Sequence, residues 1–160
     1  MLAWRTLIGA KLYDLVVVAG ARSAAPPESL TLMPYGPRFP VDPGRFFAPT
    51  SLMTLLATFG ALISGWNTPW RYRAWLGLSA ASIFAVWIFT VIAFWPRNGM
   101  LFAAASGSPL SLTDRAELLR QAHLWVIYDW CRIAMMTAGF VSAVLAINVP
   151  IPVTPLSRSA

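Results

Sequence analysis

Trp125-Val-Ile-Tyr-Asp-Trp-Cys-Arg132 sets an aspartate and an arginine three residues apart inside a run that otherwise reads as a membrane-spanning helix. Both charges are expensive in hydrocarbon, so Asp129 and Arg132 must face protein, a counter-charge or water. The surrounding chain, from Ala122 to Ile147, is apolar enough to form the last span of an integral membrane protein. This one stretch therefore predicts a bundle of membrane helices with a polar site inside it.

Composition agrees. The 160 residues are 58% hydrophobic and 11% charged, against roughly 25% charged in ordinary soluble domains. The length suits a single membrane domain over 1–160. The net charge of +6 comes almost wholly from arginines scattered between apolar runs. That pattern suits lipid headgroups and argues against nucleic acid, which needs a clustered basic face. The single cysteine, Cys131, and single histidine, His123, cannot build an intramolecular disulfide, a Cys/His zinc cluster or a bis-histidine haem in one copy of the chain. No metal or cofactor is expected.

Working outward gives four spans, about 2–21, 49–66, 74–95 and 122–147, and an all-α four-helix transmembrane bundle. Ala19-Gly-Ala21 resembles a signal-peptide cleavage site, but Lys11 and Asp14 interrupt the apolar region such a peptide needs, so the first segment is expected to be retained. Residues 22–45 carry six prolines and predict a loop. Its aromatics, Tyr35 and Phe39 with Phe46 and Phe47 beyond, together with Met33, favour a stiff loop folded onto the bundle over a floppy linker. Ala57, Ala61 and Gly65, then Ala138/Ser142 and Gly139/Ala143, form small-residue seams for close helix contact. Phe94-Trp-Pro96 is read as the end of the third span. A polar loop follows, and Ser111-Leu-Thr-Asp114 and Asp114-Arg-Ala-Glu117 both have capping-box spacing for a helix beginning near Asp114. Pro150, Pro152 and Pro155 end that helix in an extended tail.

Raw arginine count favours a cytoplasmic position for the two long loops. Charge density beside the spans, chiefly Arg71-Tyr-Arg73 and the N-terminus, instead favours both termini inside, in what is expected to be a bacterial inner (plasma) membrane.

The intramembrane charges fall on the first and last helices. Lys11 and Asp14 share one face, as do Asp129 and Arg132. Counted from the looped side, both acids lie about 10 Å deep and both bases about 15 Å deep. Side by side, the helices would let Asp14 reach Arg132 and Lys11 reach Asp129, a neutral quartet that lipid tolerates. The quartet is either a clasp between two helices or the lining of a cavity. For the cavity, the candidate substrate contacts are Lys11, Tyr13, Asp14, Tyr128 and Trp125. His123 would stand at the mouth, and the Pro-rich loop would cap it. Trp125, Asp129, Arg132 and Met136 form one stripe whose Trp and Met also read as core. Cys131 points away by helical phase and reads as packing.

At these residues the chain resembles the small four-span membrane proteins grouped with the anthrone oxygenases. The likeness lies in Gly9-Ala-Lys-Leu-Tyr-Asp14, Pro26-Pro-Glu-Ser29, Pro43-Gly-Arg-Phe-Phe47, Phe94-Trp-Pro-Arg-Asn98 and the Trp125, Asp129, Arg132 pattern. In the last of these, Asp129 stands where the family usually has Asn. The resemblance implies a cofactor-free oxygenase turning an anthrone-like or quinol-like aromatic into a quinone. Asp129 would be the base, Arg132 and Lys11 the stabilisers of enolate charge, and His123 a proton relay. The alternatives from the residues themselves are a non-enzymatic bundle and an ion-coupled transporter. The bundle would serve as an accessory subunit of a membrane assembly, a homo-oligomer or a binder of a lipid-like ligand. The transporter has the least support, because the four short spans read as unbroken.

Overall fold

A computed structural model describes residues 1–32, 43–105 and 112–150. Among them the chain is all-helical. Helix α1 comprises an α-helical stretch Leu2–Tyr13, a π-helical stretch Asp14–Ala19 and a last α turn, Gly20–Ser23. A 3-10 turn, Glu28–Leu32, follows. Helix α2 is Pro43–Ser64. Helix α3 is Trp70–Ala105, with a π-helical stretch at Thr90–Phe94. Helix α4 is Leu112–Ile147.

Three of these, α2, α3 and the Asp114–Ile147 part of α4, are long and apolar enough to cross a membrane. The chain is thus built as an integral membrane protein. Helix α1 is of spanning length but carries Arg5, Lys11 and Asp14.

The third helix does not end at Phe94-Trp-Pro96 as the proline suggested. It continues to Ala105. Pro96 has no N–H to offer the carbonyl of Ile92, and its ring would crowd that carbonyl in a regular helix. The wider π turn just before it opens the ladder and lets the helix run on. The Arg97 guanidinium then donates to the carbonyl of Ala93. Helix α2 likewise starts earlier than the sequence suggested, at Pro43, where a proline suits the first helical position.

Helices α3 and α4 are each about 54 Å long, well beyond a core of about 30 Å. Their looped ends pack against each other, and that of α3 also against the 3-10 turn. On this part of α4, Glu117 accepts hydrogen bonds from Arg120 Nε (2.8 Å) and Gln121 Nε2 (2.7 Å). The described half of the Pro-rich loop is folded: Ser29 Oγ donates to the carbonyl of Arg22 (2.5 Å), and Leu30 is wholly buried. Met33, Tyr35 and Phe39 lie outside the described residues, as do Ser111 and the tail beyond Pro150.

Helix α4 packs chiefly along α3, and α1 lies against both α2 and α4. The tightest approach is at Gly139. A Cβ there would fall 2.5 Å from Trp4 Cη2 and 2.9 Å from Ser82 Cβ. Gly139 and Ala143 are thus the inward seam of α4, while Ala138 faces outward. On α2 the buried stripe is Thr54 and Thr58, whose hydroxyls bond back to their own helix. Trp4 Nε1 donates to Thr58 Oγ1 at 3.3 Å and ties α1 to α2.

Candidate functional site

The charges of α1 and α4 meet between two apolar clusters. One, towards the looped end, contains Leu15, Leu30, Phe94, Leu118 and Trp125; the other contains Trp4, Leu7, Ile83 and Met136. Lys11, Asp14 and Asp129 are buried, Asp129 with no exposed surface at all.

The pairing differs from the sequence expectation in one respect. Lys11 Nζ does bridge to Asp129 Oδ2, at 3.1 Å, so the first and last helices touch at the depth their charges implied. Asp14, however, pairs with Lys11 (2.5 Å), and Arg132 pairs with Asp129. No Asp14–Arg132 contact forms among the described residues. Each i,i+3 pair closes within its own helix, because a three-residue spacing already brings the two side chains together. Lys11–Asp129 is the link between helices.

Aromatic rings enclose the bases. Lys11 Nζ lies 4.9 Å from the Phe47 ring centre and 5.1 Å from that of Trp125, and the Arg132 guanidinium stacks 3.9 Å over Phe94. Such contacts are worth about 0.5–2 kcal/mol each, the more the drier the site. Trp125 is the hub. Its face also carries Arg22 at 3.7 Å, and its Nε1 donates to Asn98 Oδ1 at 3.0 Å.

A cavity of about 280 Å³ opens beside this cluster. That is close to the lower end of ligand-pocket sizes, roughly 300–1,000 Å³, so one small molecule fits. Lys11, Thr90, Asn98, Trp125 and Arg132 supply its polar lining, among Phe47, Trp87, Phe94 and Met136. Neither aspartate lines it. The carboxylates stand behind the bases, so the cavity presents cations from a cluster that is neutral in sum.

Of the other candidate residues, Tyr13 is 63% exposed on the outer face of α1. Adjacent helical residues diverge by about 100°, so Asp14 points in and Tyr13 out. Tyr128 is partly buried under Arg97, 4.5 Å away, and packs on Phe89; it does not line the cavity. His123 is exposed and also outside the lining, and Cys131 is exposed. No group of three metal-ligating side chains converges among the described residues. Sequence reasoning missed Thr90, Asn98 and Phe47 as parts of the site. Asn98 and Phe47 sat inside quoted motifs, but Thr90, whose Oγ1 lies 3.5 Å from Arg132 Nη1, gave no signal.

A helical membrane protein with a cation-faced, aromatic-walled cavity is the class these features define. A sequence profile describing anthrone oxygenases matches residues 39–142, about two thirds of the chain, and the chain belongs to that family. The match includes Trp125, Asp129 and Arg132 but not Lys11 or Asp14. No curated protein and no solved structure matches the chain.

Proposed function

We propose that the chain is a cofactor-independent oxygenase that oxidises an apolar aromatic of the anthrone or quinol type inside this cavity. The observation that carries the reading is that Lys11 and Arg132 face an aromatic-walled cavity while Asp129, in contact with both, stands behind them.

With an anthrone, the chemistry balances as follows. The methylene C–H is deprotonated, leaving an electron-rich enolate that reacts with dioxygen. The resulting hydroperoxide eliminates water to give the quinone, so one anthrone and one dioxygen yield one quinone and one water. Arg132 holds the developing oxyanion. The proton reaches the Asp129 carboxylate by way of Lys11 Nζ: Lys11 passes its own proton to Asp129 and takes the substrate's. His123 has no part in this scheme.

Protein purified in lipid nanodiscs and given anthrone in air should form anthraquinone with equimolar oxygen uptake. Lys11→Met and Arg132→Gln should each lower the rate about 100-fold. Wild-type turnover no greater than that of Lys11→Met would retire the reading.

A second reading has one observation behind it. Each carboxylate already has a base on its own helix, so the quartet is complete as a clasp and the cavity would hold a lipid-like ligand without turnover. Saturable binding with no oxygen uptake is its signature.

A further inference from the structure

The lining of the cavity divides into buried charged residues and exposed apolar ones. Ala48, Val91 and Trp95 line it yet are exposed on the outside of the bundle, Val91 by 40% and Trp95 by 63%. They belong to α2 and α3, two of the helices apolar enough to lie in a bilayer. The buried Lys11 and the nearly buried Arg132 bring its charge from inside the bundle.

An opening between two such helices faces acyl chains and not water. Trp95, near the looped end of the apolar run of α3, has the position of an interfacial aromatic. This puts the opening just beneath the headgroups. Inside, the Lys11 ammonium and the Arg132 guanidinium line the cavity as cations, so the complementary ligand brings oxygen acceptors to them.

We infer that the cavity is loaded sideways from the bilayer, through a gap rimmed by Ala48, Val91 and Trp95, by a membrane-dissolved aromatic ketone or phenol that slides in oxygen end first. This rests on the reading of the cavity as the substrate site, and it adds the route and the orientation. Ala48 and Val91, exposed at the rim, then control the rate of loading.

The test uses 9,10-anthraquinone, an aromatic ketone that quenches tryptophan, with the full chain in nanodiscs. Trp87, Trp95 and Trp125 are the reporters. Stopped-flow association should follow the quinone's mole fraction in the lipid. The Ala48→Phe/Val91→Phe double variant should slow both association and dissociation, association about tenfold. Val91→Ala/Trp95→Ala, which widens the gap, should speed both and covers the case in which the first variant fails to fold. The inference is overturned if wild type shows no quenching. It is equally overturned if, across lipids of different partition coefficient, the rates follow the aqueous concentration and not the mole fraction in the lipid, or if rim variants alter affinity but not association. Quenching needs neither oxygen nor turnover. An oxygenase with unaltered loading would therefore refute this inference alone, and gated loading without oxidation would refute the catalytic reading alone.

Discussion

Asp129 is the residue on which the site turns. It is completely buried and holds one base from each of two helices, Lys11 and Arg132. Asp129→Asn removes the shared counter-charge and leaves one buried base in excess, which should cost about 3 kcal/mol. Asp129→Leu/Arg132→Met instead leaves the neutral Lys11–Asp14 pair intact. It should recover most of that loss while abolishing oxidation, since an apolar replacement of a whole buried pair is often harmless to stability. Reversible unfolding in mixed micelles measures both. A double variant no more stable than Asp129→Asn would show that the charge balance is not what matters here. At this scale the sequence was informative about which residues are charged and that Lys11 meets Asp129 across the two helices. It could not tell that Arg132 would turn to its own helix, because an i,i+3 neighbour and a neighbour across the interface are equally reachable for a long guanidinium.

Helices are held here by close backbone approach as much as by ion pairs. At Gly139 an added methyl meets the Trp4 ring and Ser82, whereas around Gly77 on α3 there is open space. Gly139→Ala should therefore destabilise the bundle by about 2 kcal/mol through overpacking, and Gly77→Ala should stay within about 0.5 kcal/mol. Thermal unfolding of the two variants in one detergent compares them directly, and equal losses would contradict this packing. Small-residue spacing had singled out Gly139/Ala143 and Ala138/Ser142 alike; Gly139, Ser142 and Ala143 are buried, and Ala138 is exposed. Spacing gives the stripe; only the rotation of the helix says which stripe faces inward. The π turn at Thr90–Phe94 was hidden for a similar reason. Pro96 announced a break, and whether a helix stops or widens at a proline depends on what packs around it.

Across the whole molecule, the open question of architecture is whether α1 crosses the membrane with the other three helices. Its ion pair to α4 at matching depth and its Trp4–Thr58 bond to α2 support a fourth span. If α1 crosses, then in a Cys131→Ser background Leu2→Cys and Asn67→Cys should react with an impermeant maleimide from one side, and Ala24→Cys from the other. Labelling of Leu2→Cys together with Ala24→Cys would remove α1 from the membrane. Helix α2 is the most peripheral, with only 11% of its apolar window buried, so most of its surface meets lipid or a further chain.

The sequence by itself determined the membrane class, the long apolar helices and the common depth of the charges on α1 and α4, because hydropathy and helical rise are properties of the chain alone. Only the tertiary structure decided that the bases face the cavity and the acids stand behind them. It also brought Thr90, Asn98 and Phe47 to the same place, while Tyr13 and His123 turned outward. The physical reason is that the direction of a side chain depends on how each helix is rotated against its neighbours. That rotation is set by contacts such as Trp4 on Gly139, between residues far apart in the chain.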